Sequence, residues 1–299
     1  MNPFKGHHRS SPRMARSFLA AALLLVAVAG LATAAQKAVP AWIDEFAARI
    51  HAAWESGKPM PQLSAAHSEA TLADGYAVQK QFVARFAKTD KIGGFKAAVV
   101  GREGQAQLGI DRPLIGVVPR SGLLRADDKV VVDLAAYPNR HIEAEIGYRF
   151  NAPISEPVPD IETLRRHIKH VVAVVELPGG ATEEKQPGTA VDTAAWNGNA
   201  KEMIVGSTAL DPATLDVDAL AITLTRDGQT INSATGADAA GGQMQTLLKS
   251  VNDIVRNGYT IRRGHVLTNG ALGKILPAEP GHYLADFGQL GKIGFEVKD

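Results

Sequence analysis

His141-Ile142-Glu143-Ala144-Glu145-Ile146-Gly147-Tyr148-Arg149-Phe150 alternates polar and apolar side chains, the period-2 signature of a strand with one buried face. Ile142, Ala144, Ile146, Tyr148 and Phe150 point to one side. His141, Glu143, Glu145 and Arg149 point to the other. Carboxylates two residues apart on a strand project the same way, about 6–7 Å apart along the backbone. Glu143 and Glu145 can therefore reach one divalent cation. The competing reading is a solvated sheet face with scattered charges, and a third carboxylate would decide between them.

Glu176 is the candidate third. His170-Val171-Val172-Ala173-Val174-Val175-Glu176-Leu177 is apolar on both faces, as a strand central in its sheet would be. Pro178-Gly179-Gly180 stops that strand and leaves Glu176 at the mouth of a site. A carboxylate there is costly to bury unless it is paired or metal-bound; a surface strand cap is the alternative. Three hard oxygen ligands with few histidines nearby favour Mg²⁺, Mn²⁺ or Ca²⁺ over zinc. Lys96, in Gly94-Phe95-Lys96 beside the apolar run Ala97–Val100, needs a partner or a task, unless it snorkels from a strand edge.

Composition narrows the function classes. The chain has 299 residues, 45% of them hydrophobic, enough for a substantial core. Lys+Arg 32 against Asp+Glu 31 gives a net charge of +1, with no basic field for nucleic acid. Zero Cys excludes a thiolate nucleophile, a Cys-ligated metal and a lipid-anchored lipoprotein. Residues 1–35 read as a signal peptide: Lys5, Arg9, Arg13 and Arg16 are basic, Phe18–Leu31 is apolar, and Ala32-Thr33-Ala34 is a small-residue cleavage site. A periplasmic protein without a stable membrane anchor after cleavage is expected; an uncleaved anchor is the competing reading.

Residues 36–90 read as an N-terminal helical region. Trp42, Phe46, Ile50 and Trp54 mark a first helix ending near Gly57. Thr71 caps a second, carrying Tyr76, Val78, Phe82 and Phe86. Short helices are expected at 103–108, 160–169 and 244–257, with strands at 129–134, 171–176, 202–205, 221–226, 265–268 and 294–297. Residues 91–299 therefore read as an α+β domain with a largely β core.

From about Trp42 to Val297 the chain resembles the 2-keto-4-pentenoate hydratase family of the fumarylacetoacetate hydrolase superfamily. The motifs that carry the resemblance are Pro61-Gln62-Leu63-Ser64, Thr71–Gln79, Gly94-Phe95-Lys96, Gln107–Pro113, Ile142–Ile146 with Glu176 downstream, Val266-Leu267-Thr268 with Gly270–Gly273, and Leu290–Ile293. The resemblance implies a mixed β roll or sandwich core with Mg²⁺ or Mn²⁺ held by Glu143, Glu145 and Glu176. It also implies a 2-oxo acid substrate, proton transfer by Lys96 and substrate contacts from Asn197 and Thr268. Catalytic roles fall on Lys96, Glu143 and Glu145, and a homo-oligomer is expected by analogy. The implied activity is a hydratase or decarboxylase. Acylpyruvate-type carbon–carbon hydrolysis and non-catalytic carboxylate binding are the alternatives. Two departures touch the substrate half: Ala97-Ala98-Val99-Val100-Gly101 lacks the family's hydroxyls, and Trp196 stands where an acid is common.

Overall fold

The computed structural model describes residues 40–180, 187–239 and 241–299. The signal peptide read at 1–35 lies outside the described residues. Among these no helix is long and apolar enough to cross a membrane.

The N-terminal helices form where the periodicity places them. Helix α1 (Ala41–Ser56) buries Phe46, Ile50 and Trp54. It stops at Gly57, whose φ of 64° is left-handed and whose N–H returns to the Ala53 carbonyl. After the short α2 (Leu63–Ala66), α3 (Leu72–Phe86) starts at a reciprocal capping box between Thr71 and Asp74. Trp54 meets Phe82 edge-on with ring centroids 5.5 Å apart, and Phe86 at 6.1 Å, locking α1 to α3.

Two sheets form the β core. The larger has eight strands, with β2 (Leu114–Pro119) beside β1 (Ile92–Ala98), then β10 (Val266–Thr268), β5 (His141–Phe150), β6 (Ile168–Leu177), β7 (Glu202–Leu210) and β3 (Leu123–Arg125). The eighth, β11 (Leu276–Pro277), pairs with the start of β5. The smaller sheet runs β4 (Val131–Asp133), β13 (Lys292–Lys298), β12 (Gly281–Asp286), β8 (Ala221–Arg226) and β9 (Gln229–Thr235). Pairs β1–β10, β3–β7 and β4–β13 are parallel; the rest are antiparallel. This is the expected mixed α+β core.

The larger sheet rolls on itself. A single 3-10 turn, Arg120–Gly122, carries β2 directly into β3 at the opposite end of the strand order. Val118, Val172, Val174, Met203, Val205 and Val266, from β2, β6, β7 and β10, share one buried cluster with Leu123 of β3 packed against it. That cluster is the interior of the roll. Its outer face, including Phe95, Ile146, Tyr148 and Phe150, belongs to the main core with the helices, of which α7 (Gln243–Arg256) contributes Leu247, Val251 and Ile254.

The helix expected at 160–169 ends earlier. Helix α5 (Ile161–His167) gives way to β6 because Ile168 pairs with Phe150 of β5. The helix expected at 103–108 is α4 (Arg102–Gln107).

One polar tie fixes the helical layer to the core. Asp192, on α6 (Ala190–Ala195), accepts from the Thr189 N–H and hydroxyl, both at 2.8 Å. It also accepts from the Ser64 N–H at 2.8 Å and hydroxyl at 2.6 Å. Burial opposes its ionisation, but these donors prevail and hold its carboxyl below the ordinary 3.8. Asp192 thus stabilises the fold above its ordinary pKa, and that contribution is lost as pH falls through its own lower one. Asp192→Asn should destabilise the protein by about 1.5–3 kcal/mol at neutral pH, read by urea unfolding, with the gap from wild type closing toward pH 3. An undiminished gap at pH 3 would contradict a charge-based tie.

Candidate metal centre and active site

The antiparallel pairing of β5 with β6 sets Glu143 directly opposite Glu176, with Glu145 opposite Val174. Oxygens of Glu143, Glu145 and Glu176 lie within 4.8 Å of one another. All three are buried: Glu143 is 6% exposed and Glu145 and Glu176 are 0% exposed. That removes both competing readings, the solvated face and the surface strand cap. Lys96 is 4% exposed, and its Nζ lies 2.8 Å from Glu176 Oε1, so it is no snorkelling edge residue. Glycines make the convergence possible. A Cβ on Gly116 would stand 2.8 Å from the Lys96 side chain, and one on Gly147 would stand 2.6 Å from Val174.

Charge explains what such a cluster requires. Three carboxylates face one ammonium in a water-poor site, an arrangement that needs more positive charge or bound protons. Burial first, then Glu176 and Glu143, push the Glu145 carboxyl well above its ordinary value, against the pull of Lys96. Burial likewise lifts Glu176 to about 7, with Lys96 pulling the other way. For Lys96 burial favours the neutral amine, but the three carboxylates outweigh it and hold the ammonium charged above its ordinary range. A lowered lysine pKa, expected for proton transfer, thus requires the carboxylate charge to be neutralised.

Glu145 Oε1 and Glu176 Oε2 are buried and accept no hydrogen bond. Orphaned oxygens converging from three carboxylates fit a hard dication, which takes oxygen ligands and supplies the missing charge.

A loop holds Glu145 in place. The Gly270 N–H donates to Glu145 Oε2 at 3.1 Å, and the Leu272 N–H donates to the Ala144 carbonyl at 2.9 Å. Gly270 has φ 90°, and a Cβ there would stand 2.6 Å from Val100, so glycine is required twice over. Asn269 anchors the loop from behind through its Nδ2, 2.8 Å from the Gln243 carbonyl. Gln243 Oε1 also accepts from the Tyr148 hydroxyl at 3.0 Å.

Through Glu143 and Lys96 the cluster opens onto a cleft of about 670 Å³, whose lining also includes His141 and the wall Ala97–Gly101; Glu145 and Glu176 are buried out of its lining. That wall is apolar, as its sequence Ala97-Ala98-Val99-Val100-Gly101 requires. Val99 has φ 57°, an outlier for a β-branched residue, and the Gln105 side chain supports it with a 3.0 Å bond to the Val99 carbonyl.

The remaining expected residues divide. Thr268 pairs in register with Lys96 and its hydroxyl is buried without a partner, but it lies behind the cleft lining. Asn197 bonds to backbone. Its Oδ1 accepts from the Val117 N–H and its Nδ2 donates to the Val117 carbonyl, both at 2.7 Å, so its side-chain amide is occupied at the free edge of β2. Trp196 is a core residue, 4% exposed, with its indole N–H donating to the Pro61 carbonyl at 2.7 Å; it does not line the cleft.

Asn199 was missed. It lines the cleft, and its Oδ1 is buried with no hydrogen-bond partner. Asn197, Gly198 and Asn199 are three consecutive left-handed residues, so the Asn-Gly-Asn spelling was the available turn signal.

Comparison with known proteins agrees with this geometry. No family model matches the chain. It is 26% identical over 239 residues to a 2-keto-4-pentenoate hydratase of Paraburkholderia xenovorans, covering 80% of this chain and 88% of that protein. It is 24% identical over 223 residues to a 4-oxalocrotonate decarboxylase of Pseudomonas sp. strain CF600, covering 74% and 83%. Among solved structures, the 4-oxalocrotonate decarboxylase of Pseudomonas putida G7, complexed with magnesium and adipate, superposes with a TM-score of 0.80 at 22% identity over 86% of this chain and 97% of that one.

Proposed function

We infer that this chain, a relative of the 2-keto-4-pentenoate hydratases within the fumarylacetoacetate hydrolase superfamily, is a divalent-metal-dependent lyase acting on a 2-oxo acid or its enol. The observation that carries the reading is the buried convergence of Glu143, Glu145 and Glu176 with Lys96 at the base of one cleft. Those carboxylates would hold Mg²⁺ or Mn²⁺. Bound there, a dication supplies a Lewis acid that stabilises charge developing on the 2-oxygen as the substrate enolises.

The chain's own groups do the rest. Gly270 fixes the orientation of Glu145 through its N–H. Lys96 carries a proton at Nζ within reach of the cleft floor, the position required of a group that moves protons to or from an enol. Asn199 belongs to the wall, with its Oδ1 buried and unpartnered just beneath it. Ala97–Val100 present apolar surface that limits water around the reacting atoms. Water addition to a conjugated 2-oxo acid, the hydratase outcome, is the reaction class we favour, because the curated relatives of Paraburkholderia xenovorans, Burkholderia vietnamiensis and Comamonas testosteroni are hydratases.

The test is turnover of 2-hydroxypenta-2,4-dienoate with Mg²⁺ or Mn²⁺, followed by loss of ultraviolet absorbance. Loss that stops with chelator and returns with cation is expected. Turnover indifferent to chelator, or none across a panel of 2-oxo acid enols, would overturn the reading. The basic and apolar stretches of residues 1–35 support export to the periplasm; recovery of the full-length chain in the cytoplasmic fraction would contradict it.

A further inference from the structure

The roll has two mouths. Glu143 and Lys96 line one, with Glu145 buried beside them, and Arg149 lies four residues beyond Glu145 on the same strand, about 13 Å away at strand spacing. Between them Val172, Val174 and Val266 plug the interior, and all are at most 1% exposed. The far mouth is a separate cavity of about 660 Å³.

Its charge is one-sided. Arg120 and Arg125, around the turn from β2 into β3, Arg149 at the end of β5, and Lys169 and His170 at the start of β6 converge on it. The one acid in the lining is Asp127, which pairs with Arg125 at 3.6 Å. Among the described residues Arg120, Arg149 and Lys169 have no carboxylate within ion-pair distance. Arg149 is half-buried and paired in register with His170. An arginine in that position normally has a counter-charge, because burying an unpaired guanidinium is costly. Burial first and then neighbouring Arg120 both work against the charged form of Arg149, the signature of a site short of negative charge.

We propose that this far mouth is a binding site for a compact multivalent oxyanion of the phosphate or tricarboxylate kind, distinct from the metal centre. Arginine forks match the oxygens of such anions two at a time, and clustered cations select multivalent over monovalent ions. The valine plug separates the bound anion from the carboxylates, so the site is independent of the lyase chemistry.

The test uses the Mg²⁺-loaded full chain. Inorganic phosphate and citrate are titrated by calorimetry at constant ionic strength held with chloride, against wild type, Arg149→Gln and Lys169→Gln. The exposed Lys169 supplies a variant whose folding is not at risk. Saturable binding to wild type is expected, weakened at least about tenfold in both variants, with turnover unchanged. Preference for phosphate or for citrate tells which source of the shared chemistry fits. Three results would overturn the proposal: no heat beyond the chloride control, equal binding by wild type and both variants, or salt-sensitive self-association lost in Arg149→Gln without anion binding. The last would mean that a second copy supplies the counter-charge.

Discussion

Glu145→Gln should lower turnover by about 10²–10³-fold, the scale of losing one group that stabilises charge in the transition state. Glutamine keeps the shape and an oxygen acceptor for the Gly270 N–H, so what is lost is one negative charge at the metal. Divalent-cation affinity should fall with it. Stability should move the other way. The Glu145 and Glu176 carboxyls stand above their unfolded values, so the folded metal-free protein binds more protons than the unfolded chain in that window. Its stability is therefore full below the ordinary carboxylate value of 4.5 and is lost as pH rises through the raised ones, about 7 for Glu176. Removing one of these charges relieves the repulsion. Metal-free Glu145→Gln should melt above metal-free wild type at pH 8, and added Mg²⁺ should raise wild type alone. A variant that melts lower without metal, or that still gains from Mg²⁺ as wild type does, would show the carboxylates to be a structural network.

Lys96→Met separates proton transfer from metal binding. Turnover should fall about 10²–10⁴-fold, the range for a positioned acid–base group. Cation binding should persist or tighten, because the ammonium that lies 2.8 Å from Glu176 no longer competes for the same oxygens. Without metal the variant leaves three buried carboxylates with no cation in contact, at a cost of about 3–5 kcal/mol near pH 8. That cost should shrink on acidification, as the carboxylates take up protons, and on addition of Mg²⁺. Calorimetric binding and kinetics measured on one preparation check the pair of effects; loss of cation affinity together with activity would make Lys96 a structural member of the site.

The carboxylate half of the candidate site was legible because it is local. Alternation on one strand places Glu143 and Glu145 together, and an apolar run that ends in Glu176 marks a central strand with one carboxylate at its mouth. The helices were legible for the same reason, in four-residue spacing and in the Thr71–Asp74 box. The roll was not. It depends on the parallel pairing of β1 with β10, the passage from β2 into β3, and β3 joining β7, and none of these strands records its partner in its own residues. Side-chain duties were equally hidden. Asn197 and Asn199 sit two residues apart in one turn, yet one is consumed by the Val117 backbone and the other faces the cleft. Trp196 read as an altered pocket and serves instead as packing under Pro61.

The central claim is that one dication sits among Glu143, Glu145 and Glu176. Anomalous diffraction from crystals grown with Mn²⁺ tests it directly. A single peak at about 2.0–2.3 Å from an oxygen of each of the three carboxylates is predicted. A peak elsewhere, or none while Lys96 still bridges to Glu176, would contradict it.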